Sequence, residues 1–183
     1  MSATPETLYE QTLVIRSQLG DEAAFEELLE LHGPRLLLFT QRMLQSSPEL
    51  VPDVTQEIWV AIYRSLPKLQ DASKFRHWTF RIARDRIYRE YRRRKLPRQM
   101  TDEEQVVEVP DSAELDATID REALHLCLEL LSPEHREALL LRFFEDMSYE
   151  DIARATNSSV GTVRSRIYYG KEAFKKVWKG KTI

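Results

Sequence analysis

The 183-residue chain has one cysteine, five glycines and no apolar run that approaches membrane-spanning length. Each scarcity excludes something. A lone thiol, Cys127, cannot build a disulfide framework, and it fits a reducing compartment. Cys127 sits in the apolar run ALHLCLELL beside His125. Helical residues two apart do not share a face, so the pair reads as a packed thiol near a histidine rather than a metal-ligand set. No metal or cofactor is expected. The N-terminus lacks a basic stretch followed by an apolar one, so no secretory leader is read and a cytoplasmic location with no membrane association is expected. There is no glycine-rich phosphate loop, and no Ser/His/Asp constellation or metal-ligand spacing to suggest an enzyme.

What is present is helix-forming: Leu, Glu, Ala and Arg dominate, and alternation of strand length is missing. The expected fold is all-α. The formal net charge of -3 conceals a strong segregation. Residues 1–73 hold 5 basic and 11 acidic side chains, residues 74–98 hold 11 and 2, and residues 101–122 hold 1 and 9. Residues 123–159 hold 3 and 7, and residues 160–183 hold 7 and 1. A run of charge is commonly a solvated face. Two basic zones with interleaved aromatics on an acidic chain point instead to two contacts with a polyanion.

Along the chain, residues 6–18 read as a loosely amphipathic helix carrying Leu8, Leu13 and Ile15, stopped by Gly20. Asp21 caps the next, with Glu22 in its first turn. That helix carries Phe25, Leu28, Leu29 and Leu31 and meets Gly33-Pro34, where a kink or break is expected; Leu36 to Leu44 continue it. SSPELVP (46–52) is a turn, 53–66 a third helix and 67–73 a loop. A long helix then runs from Phe75 to about Lys95, with Trp78, Ile82 and Ile87 on or near one face. Pro97 closes the first domain, 1–97. Residues 98–118 are acidic, poor in aromatics and without a period, and read as a flexible linker. The second domain is 119–183. Ser132-Pro133-Glu134 has the residues of a helix start, and Ser148 with Asp151 fits a capping-box spacing.

The end of the chain supplies the sharpest pattern. Ser148 to Ala155 form a short helix, Thr156 to Ser158 a tight turn with Asn157 suited to the left-handed conformation, and Ser159 caps a helix to about Trp178. Ile152 and Ala153 face the partner helix. Val160, Val163 and Ile167 form an apolar stripe. The other face offers Ser159, Thr162, Arg164, Ser165, Arg166, Tyr168, Tyr169 and Lys171. This is a helix-turn-helix whose second helix suits a major groove. A helical hairpin with a solvated basic face is the competing reading, and a stand-alone dimeric helix-turn-helix regulator is a competing function. The regulator leaves the aromatic and basic segment at 74–94 unexplained.

SYEDIARATNSSVGTVRSRI resembles the DNA-binding helix-turn-helix in the last conserved region of bacterial sigma factors. DVTQEIWVAIYRSLPKL followed by KFRHWTFRIARDRIYREYRRR resembles the second conserved region of the compact extracytoplasmic-function group, and GDEAAFEELLELHGPRL fits that group's opening. The resemblance spans nearly the whole chain outside the linker. It implies a monomeric promoter-specificity factor that joins core RNA polymerase, through its clamp helices and flap, to promoter DNA, and it admits an anti-sigma partner. Asp53, Gln56 and Glu57 then become acceptors for basic core residues, with Ile58 and Trp59 divided between packing and contact. Lys74, Phe75, Arg76, His77, Trp78 and Arg81 supply cations and aromatic faces for a melted −10 strand, with Trp78 divided between that role and the core. Arg84, Tyr88, Arg89, Arg92 and Arg93 extend that surface, the arginines clamping phosphates. The face from Ser159 to Lys171 reads the −35 element. Three positions depart from the family pattern: Tyr169, where a basic residue is common; Gly170, where alanine is; and Thr156, usually apolar.

Overall fold

Helix ends are where this chain's local chemistry is clearest. The computed structural model describes residues 4–94 and 127–179, with side chains to 176, and among them every regular element is helical. The predicted linker at 98–118, its boundary at Pro97 and the domain start near Ile119 lie outside the described residues. The chain divides into two compact units, Met1–Glu90 and Tyr91–Ile183.

In the first unit, α1 (Pro5–Gln18) starts at Thr4, whose hydroxyl accepts from the Thr7 N–H, and stops before Gly20 at φ +92°. Only glycine adopts that angle without strain. Helix α2 (Glu22–Met43) is capped by the Asp21 carboxylate, which accepts from the Ala24 N–H at 3.1 Å. It passes through Pro34 without ending, contrary to a break there. An interior proline costs about 3 kcal/mol. Leu28, His32, Leu36, Phe39 and Met43 nevertheless form one buried face across it, and each large apolar side chain withdrawn from water returns about 1.5–3 kcal/mol.

A 3₁₀ turn at Pro48–Leu50 leads directly into α3 (Val51–Ser65), so α3 begins earlier than its sequence signals imply. Two further 3₁₀ turns, Leu66–Lys68 and Ala72–Lys74, shape the connection to α4 (Phe75–Arg94). The Gln18 side chain ties α1 to this connection, donating to the Leu66 and Leu69 carbonyls at 2.9 and 2.7 Å.

The core gathers Leu13 and Val14 of α1 with the buried faces of α2 and of α3 (Val54, Ile58, Ile62), and with Phe75, Phe80, Ala83 and Ile87 of α4. Phe39 and Phe80 meet edge to face at 5.3 Å, a favoured aromatic geometry. On α1 the sequence pattern misassigned two positions. Leu8 and Ile15 are exposed, because the helix turns Leu13 and Val14 inward. Leu29 and Leu31 are exposed as well, because α2 turns Leu28 and His32 inward.

The second unit contains α5 (Pro133–Phe143), α6 (Tyr149–Thr156) and α7 (Val160–Lys179). Ser132 caps α5 by accepting from the His135 N–H. The buried Arg136 donates to the carbonyls of Leu128, Glu129 and Leu131 at 2.7–3.2 Å. A planar guanidinium thereby gathers three carbonyls of the segment that precedes α5. Cys127 is buried, in keeping with a packed thiol. Ser148 caps α6, accepting from the Asp151 N–H and donating to its carboxylate.

Asn157 ends α6 in the left-handed conformation (φ 51°, ψ 47°). Ser159 caps α7 by accepting from the Thr162 N–H at 3.0 Å. Thr156 is buried but satisfied: its hydroxyl donates to the Ile152 carbonyl and pairs with Ser158.

Candidate polymerase and nucleic-acid interfaces

Helix α3 separates its residues cleanly. Val54, Ile58 and Ile62 recur at helical spacing and face inward, with Ile58 at 0% exposure. Asp53, Gln56 and Glu57 project from the other side into solvent. Trp59 is half-buried, its ring edge to face with Phe25 at 6.0 Å, and Phe25 also meets Tyr63 at 4.9 Å. Of the five candidates for polymerase contact, three are therefore exposed acceptors, Trp59 is partly available and Ile58 belongs to the core. Glu57 lies 3.8 Å from Arg86 of α4, a cation that sequence reading passed over. Arg86 was one arginine among many, and only the packing of α4 against α3 distinguishes it.

Helix α4 is more divided than its sequence suggests. Arg81, Arg89, Arg92 and Arg93 are exposed, while Arg76, His77 and Trp78 are half-buried. Lys74 is exposed and pairs with Asp71 at 3.0 Å. Hydrogen bonding from Ser73 and then from Lys74 holds the Asp71 carboxyl below the ordinary aspartate range. Arg84 places its guanidinium 4.6 Å from the Tyr88 ring centre and 3.4 Å from Asp85.

Phe75 and Tyr88 read from the sequence as DNA contacts, but they are 0% and 4% exposed. Phe75 closes over His32 at 5.1 Å and supports Trp78 at 6.0 Å. The reason is periodicity: Phe75, Thr79, Phe80, Ala83, Ile87 and Tyr88 fall on the buried side, whereas the arginines fall mostly outside it. Trp78 and His77 are left as the aromatic groups with access to solvent among the −10 candidates.

Helix α7 carries Val163, Ile167, Gly170 and Phe174 inward. Ser159, Arg164, Tyr168 and Tyr169 are exposed, and Thr162, Arg166 and Lys171 are half-buried. Ser165 is 1% exposed and donates to the Thr162 carbonyl, so it sits inside the helix packing and not on the candidate DNA face. Ser159 and Thr162 spend their hydroxyls on each other and on the cap. Lys171 is drawn sideways, its ammonium 5.0 Å from the Phe143 ring centre.

Gly170 has a packing reason. A Cβ there would stand 3.1 Å from Leu139 Cγ and 3.4 Å from His135 Cβ, so the missing side chain lets α7 approach α5. The neighbouring Tyr169 ring lies 6.5 Å from His135 and 5.3 Å from Tyr168. Sequence reading also passed over Arg142 and Tyr149, and no linear spacing marks them. The Arg142 guanidinium lies 5.3 Å from the Tyr149 ring centre, and that of Arg164 lies 5.8 Å from the same ring.

Residues 15–96 match the family model for sigma-70 region 2, and residues 121–174 match that for sigma-70 region 4. The chain is 34% identical to RNA polymerase sigma-H factor of Pseudomonas aeruginosa over 180 residues, covering 91% of this chain and 92% of that protein. It is 33% identical to ECF RNA polymerase sigma-E factor of Escherichia coli K12, with 92% and 93% covered.

Among solved structures, sigma factor RpoE of Bartonella quintana, in complex with the anti-sigma factor NepR, aligns with a TM-score of 0.68 at 25% identity, covering 86% of this chain and 98% of that one. CnrH, in complex with the cytosolic domain of CnrY, shares the fold at a TM-score of 0.71 and 22% identity, with 95% and 99% covered. Two region models in order, relatives matched along nearly their full length and a shared fold lead to one assignment: the chain is a sigma factor of the sigma-70 family, in its extracytoplasmic-function group.

Proposed function

We propose that this sigma factor reads its promoter with two separate cationic surfaces, one along α4 and one on α7, while the acidic side of α3 holds core RNA polymerase. As a sigma factor it confers promoter specificity on the polymerase, and the proposal concerns which residues do so. The observation that carries it is the exposure of Arg164, with the half-buried Arg166 near it, on a helix seated on a buried Val163 and Ile167 stripe. Such a helix can enter a major groove without disturbing its own packing.

Arg164 and Arg166 meet the −35 duplex, joined by the exposed Tyr168 and Tyr169. Along α4, Arg81, Arg89, Arg92 and Arg93 follow the phosphates of the −10 strand. Trp78 and His77 supply stacking faces for bases leaving the helix. Base–aromatic contacts of about 1–3 kcal/mol each offset the few kcal/mol that unstacking costs, so binding free energy drives melting. Asp53, Gln56 and Glu57 pair with basic groups of the polymerase clamp helices.

The chain acts by binding and performs no chemical step of its own, in the cytoplasm where the polymerase works. None of its described helices is long and apolar enough to cross a membrane. The RpoE complex with NepR supports an inhibitory protein partner for this chain as well.

Run-off transcription with purified core polymerase on a genomic fragment library tests the reading. Discrete start sites that require the added chain are expected. Initiation that is the same without it would overturn the assignment of these surfaces.

A further inference from the structure

The geometry points to Tyr149 as a positioning residue for DNA binding: its ring gathers Arg142 and Arg164, from two different helices, into one double-cation clamp for a backbone phosphate. The inference rests on the proposed −35 role of α7 and deepens it.

Tyr149 is the first residue of α6, and its backbone is fixed by the Ser148 cap. Arg142 lies in the last turn of α5 and is itself tied down, donating from Nη1 to the Met147 carbonyl at 3.0 Å. Arg164 is exposed on α7. An exposed arginine has much rotamer freedom to lose on binding, and immobilising it beforehand improves affinity. The ring-centre distances of 5.3 and 5.8 Å both lie within the reach of a cation–π attraction.

Two guanidinium groups near one ring repel each other, so the arrangement is most favourable when an anion joins them. A DNA phosphate is the anion that this face is positioned to meet. Tyr149 thus acts through Arg142 and Arg164 and links the end of α5 to the recognition helix.

The test is a double-mutant cycle on the full chain. Its probe is a duplex selected by the purified wild-type chain from a randomised pool, titrated over a range of salt concentrations. Tyr149→Leu is expected to weaken binding about two- to fivefold, the size of an exposed cation–π contact. It should also flatten the salt dependence toward that of Arg164→Ala. Tyr149→Phe, which keeps the ring, should bind as wild type. The double variant Tyr149→Leu, Arg164→Ala should lose less than the sum of the two single losses.

Unchanged binding by Tyr149→Leu, equal losses for Phe and Leu, or strict additivity would each overturn the positioning role. If Arg164→Ala itself binds as wild type, the −35 reading of α7 fails too. If Arg164→Ala weakens binding and Tyr149→Leu does not, only the present inference fails. In the unsubstituted chain, aromatic ring-current shifts on the Arg164 side-chain protons check the same contact in a form that no folding defect can mimic. Their absence would also overturn it.

Discussion

Gly170 and Leu139 meet so closely that a methyl group on the glycine would lie 3.1 Å from Leu139 Cγ and 3.2 Å from its Cδ1. Two effects compete in Gly170→Ala. Alanine gains about 1 kcal/mol of helix propensity, while overpacking a well-filled interface costs about 1–3 kcal/mol. We expect a net loss of about 1 kcal/mol, read by hydrogen exchange of amides in α5 and α7. Adding Leu139→Ala should make the same Gly170→Ala change favourable. A stabilised single variant would show that Leu139 yields without cost.

Asn157 holds a left-handed backbone between the two helices of the helix-turn-helix. Asn157→Val should destabilise the second unit by about 1–2 kcal/mol, the cost of a bulky residue in that region, whereas Asn157→Gly should be tolerated. Equal thermal stability of the two variants would contradict the assignment.

Glu10 and His32 join α1 to the core below Phe75, with Glu10 Oε2 3.4 Å from His32 Nε2. The neighbouring His32 imidazole is the main reason that the Glu10 carboxyl is held below the ordinary glutamate range, with Arg76 and His77 adding to it. A carboxyl depressed in the folded state stabilises above its unfolded pKa and loses that contribution as the pH falls through the folded value. Glu10→Gln should therefore be less stable than wild type at neutral pH, by less than about 1 kcal/mol because solvent screens the partly exposed carboxylate. The difference should shrink once the pH drops below about 4. Urea midpoints measured across that range check it. A constant difference would assign the effect to packing.

Asp53 and Glu57 face solvent on α3, and Glu57 approaches Arg86. Asp53→Arg with Glu57→Arg should reduce association with core polymerase at least tenfold while helix content by circular dichroism stays constant. Glu57→Arg alone also sets a like charge beside Arg86, so a small stability loss, about 0.5 kcal/mol, accompanies it. Undiminished binding by size-exclusion chromatography with core would move the docking surface elsewhere.

Much of the architecture could be read from neighbours in the chain. Asp21, Ser132, Ser148 and Ser159 cap the helices expected of them, because a cap is a hydrogen bond spanning two or three residues and needs nothing distant. The left-handed turn at Asn157 is equally local. Pro34 shows the limit of this reasoning, since its local penalty yields to a buried face contributed by both halves of α2.

The candidate sites were legible as segments but less so as side chains. Helix α4 carries arginines on so much of its circumference that no clean polar face marks its buried side. Phe75 and Tyr88 therefore looked like companions of the cations. Ser165 resembled its exposed neighbours in composition and differs from them only in the direction it points from α7.

By itself, the amino-acid order determined the helices, their caps, the two cationic zones and the family motifs, since all of these are short-range patterns of propensity, charge and hydrogen bonding. The tertiary structure alone decided that Phe75 and Ser165 turn inward, that Gly170 is required by Leu139, and that Arg142 and Arg164 converge on Tyr149. Those relationships join residues remote in the chain, and they arise only when helices pack at one particular crossing and must exclude water and overlap together.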